Sequence, residues 1–322
     1  MSACTFIDTT RGVLDYSTTP ATLRSNHRTF LTEIRYPIAS RDSASSVLGA
    51  APLARRGGYP VIIFAHGYDV TPDTYAALLD SWVRAGFVVV APYFPDEKAS
   101  AVTAQHGADT EGDLANEPGD IVYVTSQVVV ASARLRPGCP VLHGLIRPTE
   151  IALAGHSDGG DAVAMLAYGH GADPQGVAYT SLNATVRYQA VLILAGAEVP
   201  NQRYAAEKGH PSLLLIQSEA DTCNPIRQGA QLYRDVRQPN KWFFELMTAH
   251  HLPPFDGVDH VAFRDVVAVT THFLESSLHV SQPTPGLMAY ANRHPSVARM
   301  FDSQRGPTLA GLPTLVEACG TT

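Results

Sequence analysis

The hexapeptide Gly155-His156-Ser157-Asp158-Gly159-Gly160 joins an apolar run, residues 150–155, to a stretch whose apolar residues recur at helical spacing. A serine placed G-x-S-x-G between a strand and a helix sits on a sharp, strained turn, and small residues two before and two after leave room for that backbone. The turn lifts the hydroxyl above the sheet. It also sets it at a helix N-terminus, where N–H groups and the dipole favour negative charge. Such a serine is suited to attack a carbonyl. It needs a base to take its proton, and the base needs a carboxylate to hold its tautomer.

In this arrangement the acid follows the serine in the chain and the base follows the acid. Asp221 comes just after the apolar run 212–217, in QSEADTCNP. Its rivals are Glu219, two residues earlier, and Glu198, after the preceding apolar run. An ordinary turn before Asn224-Pro225 also accounts for an aspartate there. The stretch TAHHLPPFDGVDH offers His250, His251 and His260 as the base. Asp259 reads as the N-cap of the last helix, which gives His260 a capping or surface role. His250 and His251 are adjacent and point different ways, so only one of them serves. Together with Asp256 and Asp259 these histidines match no zinc-enzyme spacing, and no metal or cofactor is expected. An oxyanion needs donors: one is the N–H of Asp158, and the other is the N–H of Tyr68, presented by the turn at Gly67 in FAHGYD. The Asp158 carboxylate would oppose negative charge there and is expected to point away.

The elements that must position these residues alternate. Residues 28–38 read as an edge strand. Residues 55–67, 87–94, 150–155, 188–196, 212–217 and 241–247 read as buried strands or strands with turn punctuation. Between and after them, 73–86, 120–135, 160–169, 226–236 and 261–278 read as helices. Apolar strands alternating with helices predict an α/β fold, with a mostly parallel central sheet covered on both faces and functional loops at the strands' C-terminal ends. Residues 1–279 are expected to form one domain. Residues 280–322, with a short helical piece near 285–302, are expected to wrap onto it.

Composition agrees. Of 322 residues, 45% are hydrophobic and 16% charged, enough for a large core. A net charge of −7 with only three lysines, Lys98, Lys208 and Lys241, argues against a nucleic-acid partner. No apolar run has membrane-spanning length, and the first residues show no signal-peptide pattern. Location inside or outside the cell and oligomeric state stay open. Cys4, Cys139, Cys223 and Cys319 form no C-x-x-C pair. Buried thiols, or a bridge between the terminal Cys4 and Cys319, are the two expectations.

The segments PVIIFAHGY, TYAALLDSWVRAGFVVVAPYFP, IALAGHSDGG, LLLIQSEADTCNP and TAHHLPPF, spread over residues 28–279, resemble the α/β-hydrolase superfamily. Within it they are most similar to the chlorophyllase, platelet-activating-factor acetylhydrolase and cutinase-like branch, often labelled dienelactone-hydrolase-like. The resemblance implies an α/β-hydrolase fold without a large lid. It implies a serine esterase that uses Ser157, Asp221 and His251, because in these enzymes the base follows a small-residue pair that aligns with Thr248-Ala249. It also implies that Tyr68 and His156 lie against substrate, a small or polymeric ester of short or medium acyl length, lipid esters and polyesters included. Asp158 stands where such enzymes commonly carry Met, Leu or Phe, and the glycine usual in the acid loop is missing. An amidase or peptidase, or a binding module without turnover, is the alternative on the same scaffold.

Overall fold

The computed structural model describes residues 1–15, 22–39, 47–95, 113–184, 186–199, 203–204, 211–278, 287 and 294–309. Among the described residues eleven strands run in chain order: β1 (Ser2–Asp8), β2 (Val13–Asp15), β3 (Thr22–Ser25), β4 (Arg28–Arg35), β5 (Tyr59–Ala65), β6 (Val88–Pro92), β7 (Ile146–His156), β8 (Ala190–Leu194), β9 (Ser212–Ser218), β10 (Lys241–Leu246) and β11 (Ala298–Asp302). The helices among the described residues are α1 (Ala76–Arg84), α2 (Glu117–Ala133), α3 (Asp158–Tyr168), α4 (Tyr179–Asn183), α5 (Ile226–Asp235), α6 (Pro253–Asp256) and α7 (His260–Ser277), besides short 3-10 turns.

Nine strands form one sheet in the order β1-β4-β6-β5-β7-β8-β9-β10-β11, while β2 and β3 pair separately. Strands β5 to β10 are mutually parallel. Strands β4 and β11 pair antiparallel with β6 and β10. Both faces of β5 are buried, as its uninterrupted apolar sequence requires. Val61, Ile63 and Ala65 pack with residues of α2, α3 and α5, whereas Ile62 and Phe64 pack with α1 and α7. This is the expected α/β-hydrolase architecture. The chain goes from β5 to its neighbour β6 on one side and then crosses to β7 on the other, so the crevice beyond β5 and β7 lies at a switch in strand order, where α/β sheets bind ligands.

Three readings of the sequence are corrected. Strand β4 is not at the edge. Strand β1 covers it in an antiparallel pair, and inward Cys4, Phe6 and Asp8 alternate with exposed residues. The last strand is not β10 but β11: residues 298–302 extend the sheet instead of continuing a helix. The parts of the expected helical piece at 285–286 and 288–293 lie outside the described residues. Finally, Cys4 bonds to Cys139, with Cα atoms 5.3 Å apart, and Cys223 is disulfide-bonded too, so neither free thiols nor a Cys4–Cys319 bridge describes the cysteines. Cys4 faces inward from β1, and Cys139 follows α2, which packs under the same end of the sheet.

A buried ion pair ties the neighbouring strand β4 to α2. Fully buried Arg28 donates from Nε to Asp120 at 2.8 Å and pairs with Asp113 as well. Helix α7 starts as its sequence predicts, with the Asp259 side chain accepting from the N–H groups of Val261 and Ala262. No helix among the described residues is long and apolar enough to cross a membrane.

The Cys4–Cys139 bridge closes a span of 135 residues. A cross-link of that reach restricts the unfolded chain strongly, so Cys139→Ser is expected to lower stability by roughly 2–5 kcal/mol in a urea titration. An unchanged midpoint under non-reducing conditions would show that the bridge contributes nothing.

Candidate active site

Ser157 sits between β7 and α3 at φ 54° and ψ −123°, a region that a side-chain-bearing residue rarely adopts. What holds it there is close packing of backbone. A Cβ at Gly155 would run into the carbonyl of Gly159, and one at Gly159 would run into the carbonyl of Ala65 at the end of β5. The Ser157 N–H donates to the Leu194 carbonyl of β8 at 3.0 Å, and its own carbonyl accepts from Asp161 in the first turn of α3. Neighbouring strands and the new helix thus share the cost of the turn.

The His251 ring lies over this serine. Its Nε2 is 2.9 Å from Ser157 Oγ, and its Nδ1 is 2.8 Å from Asp221 Oδ2. Since Nδ1 faces a carboxylate, it carries the proton in the neutral ring and leaves Nε2 to accept from the hydroxyl. His251 is 15% exposed at the side chain and Asp221 not at all, so the pair works in a largely dry setting. Asp221 is held by four donors: the N–H groups of Cys223 and Asn224 reach Oδ1, and Gln217 Nε2 and His251 reach Oδ2. Asn224 in turn donates from its side chain to the Ala195 carbonyl, tying this loop to the end of β8.

The rivals lie elsewhere. Glu219 shares a hydrogen bond with Glu245. Burial and the neighbouring Asp235 carboxyl push Glu198 up to about 7, and it pairs with Asp235 instead of a histidine. His250 is exposed, and so is His260 at the start of α7. Asp221, Cys223 and His251 bring three metal-ligand atom types close together, but Cys223 is in a disulfide and offers no thiolate.

Tyr68 is half-buried beside the serine turn, after Gly67, whose Cβ position would fall 2.9 Å from Ser157 Cβ. His66 anchors this loop. Its Nε2 accepts from the Phe94 N–H, which leaves Nδ1–H to donate to the Gly67 carbonyl at 2.9 Å, and burial pushes this ring down to about 4. A trans peptide sets N–H opposite C=O, so fixing the Gly67 carbonyl also fixes the direction of the Tyr68 N–H. Asp158 is buried at the head of α3, near the buried Tyr75.

His156 needs a correction. It is 2% exposed, and both of its ring nitrogens are taken: Nδ1 is 2.8 Å from Tyr75 Oη, and Nε2 is 3.1 Å from the His251 carbonyl. It is packed between Tyr75 and the loop that carries His251. Sequence reasoning missed Tyr75 and Gln217. The second left a trace, since Gln217 is a polar residue that directly follows the apolar run 213–216. Tyr75 left none, because it stands among helical residues as one more large side chain.

The sequence model of the family described as Chlorophyllase matches residues 18–191, more than half of the 322. That span includes the Gly67 loop and the serine turn but stops short of Asp221 and His251. No curated protein matches the chain. A solved ferulic acid esterase from Streptomyces cinnamoneus is similar in fold, with a TM-score of 0.57 and 16% identity over 88% of this chain and 91% of that one.

The close packing at the turn predicts that Gly155→Ala displaces the Gly159 carbonyl and destabilises the fold by about 1–3 kcal/mol, read as a lower thermal midpoint. A variant that melts like the parent would mean the turn has slack that this packing does not allow. Fold, strand order and matched sequence span agree: the chain is an esterase-type α/β-hydrolase and belongs to the chlorophyllase family.

Proposed function

We propose that the protein is a serine hydrolase that cleaves carboxylic esters through an acyl-enzyme, with Ser157 as nucleophile, His251 as general base and acid, and Asp221 as the residue that orients His251. The observation that carries this reading is the His251 ring bridging Ser157 at 2.9 Å and Asp221 at 2.8 Å. Both distances are within reach for proton transfer and tautomer control. His251 takes the hydroxyl proton as Ser157 Oγ attacks the ester carbonyl. The carbonyl oxygen becomes an oxyanion between the N–H groups of Tyr68 and Asp158, with the N-terminal end of α3 adding its dipole. His251 then returns the proton to the leaving alcohol as the tetrahedral intermediate collapses. Water, deprotonated by the same ring, repeats the attack on the acyl-enzyme and frees the acid.

Short and medium acyl esters are the proposed substrates. Residues 169–184 fold back on themselves through the Ala172–Ala178 bridge and α4, which packs on α2 and α3. A scan of p-nitrophenyl esters over acyl length, with a polyester film and an anilide alongside, tests the substrate class. Faster turnover of the anilide than of its matching ester would replace an esterase with an amidase.

Ser157→Ala is expected to lower ester turnover by at least about a thousandfold in a protein that still melts cooperatively, because removing a triad member disables the whole unit. His251→Ala is expected to be similarly inactive, while His250→Ala, which alters an exposed side chain, keeps near-parental kcat. A dead His250→Ala beside an active His251→Ala would transfer the role to the neighbour.

A further inference from the structure

Beneath the site lies a chain of hydrogen bonds that the proposed reaction does not use. The Gly67 N–H donates to Tyr75 Oη at 3.3 Å, Tyr75 Oη is 2.8 Å from His156 Nδ1, and His156 Nε2 is 3.1 Å from the His251 carbonyl. The direction of each bond follows from its ends. A carbonyl only accepts, so His156 Nε2 carries the ring proton and Nδ1 is the acceptor. Tyr75 must therefore donate its hydroxyl proton to Nδ1, and its oxygen receives the Gly67 N–H. Gly67, Tyr75 and His156 are buried, and the rings pack on one another: Tyr75 and His156 have centroids 5.3 Å apart, His156 and His251 4.7 Å, and His156 and Phe255 4.9 Å. Burial, and the nearby His251, hold His156 well below its ordinary value, so it keeps a single ring proton.

We infer that Tyr75 and His156 are positioning residues that couple the loop presenting the Tyr68 N–H to the loop carrying His251, holding oxyanion donor and base in register across the serine. This rests on the triad reading above. Gly67 belongs to the turn after β5, and His251 to the loop after β10, four strands away in the sheet. No backbone ladder joins the two loops directly. Tyr75, which ends the 3-10 turn just before α1 and packs against Phe64, spans the distance together with the residue just before the nucleophile. Gly67 is thereby held from both sides, its carbonyl by His66 and its N–H by Tyr75.

The test is steady-state kinetics on p-nitrophenyl butyrate with Tyr75→Phe, His156→Leu, the double variant and His156→Gln, each checked by thermal melting. Loss of register affects the transition state and not ground-state binding. Each of the first two is therefore expected to lower kcat about tenfold to a hundredfold, with KM within about threefold. The double variant is expected to be no worse than the poorer single, since both cut one chain. The amide nitrogen of His156→Gln still reaches the His251 carbonyl, so this variant is expected to recover most of the kcat lost in His156→Leu. Parental kcat in Tyr75→Phe, losses that multiply in the double variant, or a loss confined to KM would each overturn the inference. If Tyr75→Phe did not fold, the two His156 variants would decide it: equal turnover in both overturns it. Ser157→Ala run alongside separates the two readings. If wild-type turnover does not depend on Ser157, both fall, whereas Ser157-dependent turnover with an unaffected Tyr75→Phe removes the coupling alone.

Discussion

Ser157 holds a backbone conformation that costs of order 1–3 kcal/mol, and nothing in its own side chain repays that. The cost is met by what surrounds the turn. Strand β8 takes the serine's N–H, α3 takes its carbonyl, and two glycines let three backbone segments approach to van der Waals distance. Such an arrangement survives only on a rigid base. The base here is the parallel run β5 to β10, buried on both faces, with apolar residues of opposite parity serving the helices above and below. Relax the sheet, and the turn has no reason to stay strained.

The same base explains why the site is assembled from four separate loops. Parallel strands all end on one side, so the segments after β5, β7, β9 and β10 emerge together. Each loop then needs its own restraint. His66 pins the first, the glycine packing the second, and Gln217 and Asn224 the third. The fourth carries His251 and is held by Asp221 from one side and His156 from the other. A ring held at Nδ1 and at its own residue's carbonyl has little freedom to leave the serine.

Electrostatics reinforces the division of labour. Asp221 is buried but satisfied by four donors, so its carboxylate is stable without solvent. His66 and His156 are buried without a carboxylate on either ring and serve as neutral connectors. Three histidines around one serine thus play two kinds of role, separated by whether an acid faces the ring.

Much of this was legible from residues alone. The turn at Gly155-His156-Ser157-Asp158-Gly159 was readable because only glycine permits that geometry, and the apolar strands and helical repeats of residues 59–278 carry strong local periodicity. The order of acid and base narrowed the partners to a few loops. Strands β1 and β11 were not legible, because each gains its conformation by pairing with a neighbour distant in the chain. The Cys4–Cys139 pairing depended on which face of β1 turned inward. That the His251 ring meets Asp221 and Glu219 meets Glu245, and that a line of hydrogen bonds runs from Tyr75 through His156 to the His251 carbonyl, belong to the tertiary structure alone. The sequence determined which backbone could bend and which stretches would be buried, since those are local properties of residue type. Which side chains then met across the strand ends was decided by the order of strands in the sheet, a property that no single stretch of sequence contains.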